Sequence, residues 1–262
     1  MTNVNSVRLA LISARLGYRA LFAWNTPALF ATSLLLTPAL QMLFFVVLGK
    51  ANGYGDPQFF ICGNAILATA AAGVGGMVSV IADERRFATL PVVLTSPSSN
   101  VAVFVGRLLP GVLSGALASL VVSILGFTMA GLPFQPSSIG LYAIAILVAS
   151  VSCSALGLAL SAFGLVYRDI YQLATAAYLV MLVTSGANVA WSNLPSPLVI
   201  VGMALPAGHS IAAVRTLSDS GVGFWPQCGL ELCVAAAWLA VALTLMRVFE
   251  RRARQNASVD LS

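Results

Sequence analysis

The stretch FFICGNAILATAAAGVGGMVSVIADERR, residues 59–86, decides the class of fold. Its first 24 residues carry no charge, and the four residues that end it, residues 83–86, are all charged. Crossing the hydrocarbon core of a bilayer, about 30 Å thick, takes about 20 helical residues. The stretch therefore predicts a transmembrane helix that reaches a membrane surface at its charged end.

The composition of the whole chain agrees with this reading. Of its 262 residues, 59% are hydrophobic and only 8% are charged, whereas soluble domains carry about 25% charged residues. A soluble fold of this length could not bury so much apolar surface. The net charge of +5 does not indicate a nucleic-acid partner, because the basic residues lie at predicted membrane boundaries. We therefore expect an all-α integral membrane protein in contact with the lipid bilayer.

Six stretches are long and apolar enough to cross a bilayer. They are residues 28–48, 59–82, 108–132, 139–166, 170–190 and 226–246. Breaks rich in Gly and Pro, such as residues 49–57, separate them. No linker, low-complexity tract or strong repeat divides the chain, so residues 1–262 are predicted to form a single transmembrane domain.

The basic residues predict the orientation of these six helices, because cytoplasmic loops carry an excess of Lys and Arg. One side of the membrane receives eleven of them: Arg8, Arg15, Arg19, Arg85, Arg86, Arg107, Arg168, Arg247, Arg251, Arg252 and Arg254. The other side receives only Lys50 and Arg215. Both termini are therefore predicted to be cytoplasmic.

The N-terminal segment has an amphipathic pattern. Arg8, Arg15 and Arg19 are spaced by seven and four residues, so they share one face of a helix. The pattern predicts an interfacial helix on the cytoplasmic surface, with Trp24 as an anchor at the level of the lipid headgroups. A disordered tail is the alternative.

The segment after the second predicted span, residues 83–97, combines charge with an apolar stripe. Asp83 and Glu84 favour a helix N-terminus, and Phe87, Leu90 and Leu94 recur at three and four residues. Prolines at positions 91 and 97 limit its length. The pattern predicts about two turns of amphipathic helix on the cytoplasmic side between spans 2 and 3. A loop resting on the headgroups is the alternative.

The stretch DERRFATLPVVLTSPSSNVAVFVGRLLPG, residues 83–111, resembles the signature of type-2 ATP-binding-cassette exporter permeases. The matching residues are Glu84, Arg85, Arg86, Ala88, Thr89, Leu90, Leu94, Ser96, Pro97, Gly106 and Arg107. Pro91 stands where the family often has Glu, which would shorten or rotate the cytoplasmic helix.

A second stretch, SNLPSPLVIVGMALPAGHSIAAVRTL, residues 192–217, is similar to another region of the same family. Leu194, Pro195, Pro206 and Arg215 match, and Leu205 replaces the customary Asn. In the family this region forms a hairpin that re-enters the outer leaflet, here between spans 5 and 6. Non-helical backbone survives at membrane depth only where it packs against protein or lines a wet cavity.

The resemblance implies partners and a location. Permeases of this kind pair with a second permease, identical or homologous, above two cytoplasmic ATPase subunits in the bacterial inner membrane. The cytoplasmic helix then couples the permease to the ATPase through Asp83, Glu84, Arg85, Arg86, Phe87, Leu90 and Leu94.

The chain itself is predicted to bind no cofactor, so ATP and Mg would lie on the partner ATPase. A phosphate-binding loop requires Gly-Lys followed by Ser or Thr, and Ala51 follows the single lysine, Lys50. No catalytic residue and no metal site is predicted. The chain is accordingly expected to be a transport subunit and not an enzyme.

Polar residues near the membrane supply two candidate sites. An acid within a span is costly to bury, which singles out Glu231; His209 and Arg215 could pair with it or with Asp219. Together with Pro195 and Pro206 they form a predicted outer gate, the alternatives being helix capping and a water-facing acid. A possible substrate path involves Gln41, Asn64, Tyr171, Gln172 and Tyr178, where simple packing is the alternative.

The short and nearly uncharged external connections favour export of a hydrophobic or amphipathic cargo, such as a drug-like natural product or a lipid. Export of a polysaccharide or lipid-linked glycan is the alternative within the family. An ion-coupled carrier or channel is the alternative class, and it would require acids or broken helices near the middle of the membrane.

Overall fold

The structure is a computed structural model that describes residues 32–53, 56–86, 106, 108–133, 136–163, 170–219 and 222–256. Within these residues the regular structure is helical. A π-helical turn, Thr32–Leu36, leads directly into the first of eight α-helices among them. These are α1 Thr37–Ala51, α2 Pro57–Arg86, α3 Leu108–Ala130, α4 Pro136–Phe163, α5 Ile170–Thr184, α6 Ser196–Ala204, α7 Gly208–Asp219 and α8 Phe224–Asn256.

Helix α2 is the centre of the bundle. It packs against α1, α3, α4, α5 and α7, and residues 60–70 are buried without interruption. A helix that is apolar on all faces can lie in a protein core or face lipid, and the helices that surround α2 give it the first of these environments. Its start is set by Pro57 at the first helical position and by Asp56, whose Oδ1 accepts a hydrogen bond from the Gln58 N–H at 3.0 Å.

Small residues bring α2 and α4 together. A Cβ placed on Gly157 of α4 would lie 2.8 Å from the Cα of Val74 and 3.0 Å from the Gly73 oxygen on α2. The backbones therefore touch at a point where only glycine fits. On α2 itself Gly73 takes part in this approach, because its own added Cβ would lie 3.2 Å from Ser154 Oγ, whereas an added Cβ on Gly75 would meet no atom within 4 Å.

Substitution of Gly157 by alanine is therefore expected to destabilise the fold. Relieving the overlap requires a shift of the α2 backbone, and overpacking of this kind costs about 1–3 kcal/mol. At Gly140, on the same helix, an added Cβ would meet no atom within 4 Å. Unfolding of purified protein by denaturing detergent should therefore begin earlier for G157A and no earlier than in the parent for G140A, since alanine favours a helix where it meets no obstacle; equal midpoints for G157A and the parent would contradict the close packing.

The lengths of the helices bear on the six predicted spans. Four segments are long and apolar enough to cross a bilayer, namely Pro57–Ser79, Leu108–Ala130, Ser138–Phe163 and Phe224–Val248. Helices α6 and α7 count as a fifth if the bent pair is one span. Helices α1 and α5 have 15 residues each, fewer than the roughly 20 that a span requires. Each predicted span contains a helix, but the arrangement of six complete spans is not confirmed.

Several predicted boundaries differ from the structure, and two of the differences bear on the candidate sites. The second span was expected to end at Ala82 and a new helix to begin at Asp83, but α2 continues to Arg86. Nothing between these residues breaks a helix, and the first proline follows only at position 91. The fifth span was expected to reach residue 190, but α5 ends at Thr184 because Gly186 takes a positive φ of 83°.

Between α5 and α8 the chain forms a helical hairpin. Helices α6 and α7 meet at an angle of 95° across a short break that contains Pro206 and Ala207. Proline cannot supply the N–H that a continuous helix needs at this position. The bend agrees with the hairpin expected here from the resemblance. The predicted N-terminal interfacial helix lies outside the described residues.

Candidate functional site

A chain of hydrogen bonds joins four polar side chains inside the bundle. The Tyr178 hydroxyl of α5 donates to Gln41 Oε1 of α1 at 2.7 Å, and Gln41 Nε2 donates to Asn64 Oδ1 of α2 at 3.1 Å. Asn64 Nδ2 then donates to Asn188 Oδ1 at 2.8 Å. Buried polar groups are costly unless paired, so this network ties α1, α2 and α5 together.

The predicted substrate path is thus brought together only in part. Gln41, Asn64 and Tyr178 belong to the network, whereas Tyr171 and Gln172 are exposed on α5. Sequence reasoning missed Asn188, although an amide inside the apolar stretch 170–190 was a usable signal.

The end of α5 is irregular backbone that packs against protein. Ser185, Gly186 and Ala187 are buried yet not helical, and the C-terminal carbonyl groups of a helix lack partners within it. Side chains replace those partners. Trp191 Nε1–H donates to the Thr184 oxygen at 2.9 Å, and Asn188 Nδ2 donates to the Leu182 oxygen at 3.4 Å.

Arg215 of α7 supplies a third donor to this broken end. Its Nη2 donates to the Ala187 oxygen at 3.1 Å, and its guanidinium carbon lies 3.6 Å from the centre of the Phe59 ring. A cation near the carbonyl end of a helix is favourable, and stacking on an aromatic face adds to it. Arg215 therefore stabilises non-helical backbone at the point where α5 stops.

Glu231 of α8 binds the other kind of helix end, the start of α7, where the backbone groups without partners are N–H donors. Its Oε1 accepts from the Ala207 N–H at 2.8 Å and its Oε2 from the Ser210 N–H at 3.1 Å. The side chain is fully buried, which contradicts the alternative of a water-facing acid. A carboxylate suits the positive end of a helix, and here it also holds Ala207 at a φ of 72°, a conformation that is unfavourable for a residue with a side chain.

The expected pairing of His209 or Arg215 with Glu231 is not what the structure shows. His209 Nε2 donates to the Met203 oxygen at 3.2 Å, and Nδ1 lies 2.9 Å from the side-chain amide of Gln227. Within the described part of the chain these two side chains form no ion pair with Glu231, whose partners are backbone N–H groups. The side chain of Asp219 lies outside what the structure describes.

The predicted hairpin prolines lie at turns. Pro195 immediately precedes α6, and its carbonyl accepts from the N–H groups of Leu198 and Val199. Pro206 is buried at the break between α6 and α7. A further tie to α8 comes from Trp238, whose Nε1 donates to the Ala204 oxygen at 2.9 Å.

The predicted coupling residues are described only in part. Asp83, Glu84, Arg85 and Arg86 form the last turn of α2. The other three, Phe87, Leu90 and Leu94, lie outside the described residues. Their role in coupling stays a prediction.

A cavity of about 640 Å³ opens at the end of the bundle where α1 finishes and α2 begins. Phe45 and Leu48 of α1 and Phe59 and Phe60 of α2 form its apolar walls. The remaining wall is the irregular segment after α5, and the polar groups are the amides of three residues, Asn52, Asn188 and Asn193. Among the residues that the structure describes, no three His, Cys, Asp or Glu side chains come together as metal ligands.

The fold is thus an apolar helical bundle with a bent helical pair near its C-terminus and no charged lining in its described cavity. A family model for the ABC-2 type transporter matches residues 15–217. No curated protein matches the sequence. The match covers most of the chain, so the protein belongs to the ABC-2 type transporter family, as the resemblance implied.

Membership places the chain in a definite class. It is a multi-pass membrane protein and the permease component of an ATP-binding-cassette transporter. Such a component lacks an ATPase domain of its own, and the family normally works with a separate ATPase.

Proposed function

We propose that the chain is the membrane subunit of an ATP-driven exporter that moves a hydrophobic or amphipathic cargo out of the cytoplasm or the inner leaflet. One observation carries this proposal. The most central helix of the bundle, α2, runs without a break from the buried core to the charged residues 83–86. A displacement applied at that charged end would move the core as well, because an uninterrupted helix behaves as a stiff rod.

The proposed assembly has two copies of a cytoplasmic ATPase beneath a pair of permeases, identical or homologous, in a bacterial inner membrane. ATP and Mg bind to the ATPase, and both termini of this chain face the cytoplasm. ATP binding would favour one of two arrangements of the helices. The force would enter through residues 83–97 and pass along α2.

The polar side chains within the helices support an amphipathic cargo over a glycan. Many are small hydroxyls that bond to carbonyls of their own helix, as Ser123 does to Ser119, Ser150 to Ile146 and Ser161 to Leu158. Such groups are satisfied locally and offer little to a hydrated sugar chain. An apolar or amphipathic molecule would find the better match.

Alanine substitution of Glu84, Arg85 and Arg86 together should separate the permease from its ATPase. We expect ATPase recovered with the tagged permease to fall at least about tenfold, the effect of losing about 1.4 kcal/mol of binding. The matched control replaces Arg251, Arg252 and Arg254, three charges assigned to the same side of the membrane. Co-purification and ATP-dependent transport that survive in the first variant would rule out the coupling role.

Cargo is tested by reconstitution of the permease and ATPase in lipid vesicles. We expect lipophilic amphiphiles to stimulate ATP hydrolysis. Stimulation by a glycan alone would favour the alternative within the family, export of a polysaccharide or lipid-linked glycan. Transport driven by a proton gradient without ATP would support the ion-coupled class instead.

A further inference from the structure

We propose that the cavity between α1, α2 and the segment after α5 is a binding site for an uncharged amphiphile and that it discriminates against cations. The inference rests on the proposed function, because the distribution of basic residues places this end of the bundle on the outside, where an exported cargo would leave. The binding site itself is defined by the residues that line the cavity.

The size and composition of the cavity suit a small organic ligand. Its volume of about 640 Å³ falls in the range of about 300–1,000 Å³ typical of such sites. Aromatic rings from Phe45, Phe59 and Phe60 line it, and rings offer large apolar contact with preferred stacking geometries. The cavity therefore favours a ligand with a flat or cyclic apolar body.

The polar groups of the cavity are neutral. The carboxamide of Asn188 is already bonded to Asn64 and to the Leu182 oxygen, and Asn52 uses one N–H on the Leu48 oxygen. The carboxamides of Asn52 and Asn193 therefore supply most of the donors and acceptors for a ligand, and among the described residues no charged side chain belongs to the lining. A charged ligand group would lose water without gaining a hydrogen-bonded partner of opposite charge in the lining, which is unfavourable. Hydroxyl, ether, ester or amide groups are the chemistry that these amides recognise.

The discrimination against cations comes from Arg215. Its guanidinium covers the ring of Phe59, a wall of the cavity, and its hydrogen-bond partner Ala187 adjoins Asn188. No ion pair neutralises Arg215 within the part of the chain that the structure describes. Aromatic faces attract cations, but Arg215 already occupies one face of the Phe59 ring, and its positive charge repels a second cation in the cavity.

The irregular chain after α5 forms one side of the cavity. Residues 188–190 and Asn193 line it and lie beyond the end of α5 at Thr184. Non-helical backbone at membrane depth is tolerated only where it packs on protein or lines a cavity, and a cavity wall is one of these two environments.

Photolabelling of the full-length permease tests this proposal without the ATPase. The probes are three alkyl amphiphiles with the same chain and the same diazirine: a glucoside, a sulfate and a trimethylammonium. We expect the glucoside to label peptides that contain residues 45–60 and 188–193 more strongly than the sulfate probe and at least about fivefold above the trimethylammonium probe. Equal labelling by these two probes, or labelling spread evenly over all helices, would overturn the proposal.

Cavity-filling variants locate the site. Val189→Trp and Asn193→Trp place a large side chain into the lining, and Ile200→Trp is the matched control because Ile200 is 67% exposed on α6 and lies outside the lining. The first two should lose most of the glucoside labelling and the control should keep it. Unchanged labelling in both filled variants would show that the probe does not bind in this cavity. A disulfide between two copies that carry Val189→Cys would show that a second copy of the chain, and not an amphiphile, covers it. If the parent protein shows the expected labelling but no ATP-driven transport, that result would count against the proposed function alone.

Discussion

Replacement of Glu231 by leucine is expected to lower the free energy of unfolding by about 4 kcal/mol. The N–H groups of Ala207 and Ser210 would lose their acceptors in a buried environment. Each hydrogen bond to a charged group contributes about 1.5–3 kcal/mol, and a buried donor left without a partner is penalised. Unfolding in denaturing detergent, followed by circular dichroism, measures the change.

The sign of this effect is informative. If Glu231 merely faced lipid, its replacement by leucine would raise the free energy of unfolding, because apolar side chains are favoured in a membrane. Glu231→Gln keeps the shape and one acceptor oxygen, so it should lose less than half as much stability. Leu230→Ala, at an exposed neighbouring position, controls for α8 itself. An E231L protein as stable as the parent would refute the capping role.

Replacement of Arg215 by methionine is expected to cost about 2–3 kcal/mol and to act locally. The substitution removes a charged donor to the Ala187 oxygen and the stack on Phe59, while methionine retains most of the apolar volume. Amide hydrogen exchange should accelerate in residues 184–190 more than in α2. Arg215→Lys keeps the charge but not the flat stacking surface, so it should give an intermediate result. Exchange that is unchanged after R215M would exclude this role for Arg215.

The sequence predicted the class of fold because apolar composition and span length are local properties. Uncharged runs of 20 or more residues identify α2, α3 and α4 without knowledge of their neighbours.

Long-range pairing was not predictable in the same way. Glu231 was singled out because an acid within a span is costly to bury, and Arg215 was named as a residue that could pair with it. The structure contains no ion pair between these two side chains. Glu231 and Arg215 instead bind backbone groups at the helix ends near Gly208 and Thr184. Those ends depend on the conformations of Gly186 and Ala207, which composition and periodicity do not specify.

The arrangement of hydrogen bonds around the hairpin has a mechanical consequence. Gln227, Glu231 and Trp238, spaced by four and seven residues along α8, all bind the α6–α7 pair. Among the residues that the structure describes, Arg215 is the side chain of the pair that hydrogen-bonds to the end of α5. The pair and α8 are therefore expected to move together as one body. If the proposed outer gate opens between this body and α5, the Arg215 hydrogen bond has to break and the close contact of Gly202 with the Thr184 oxygen has to separate.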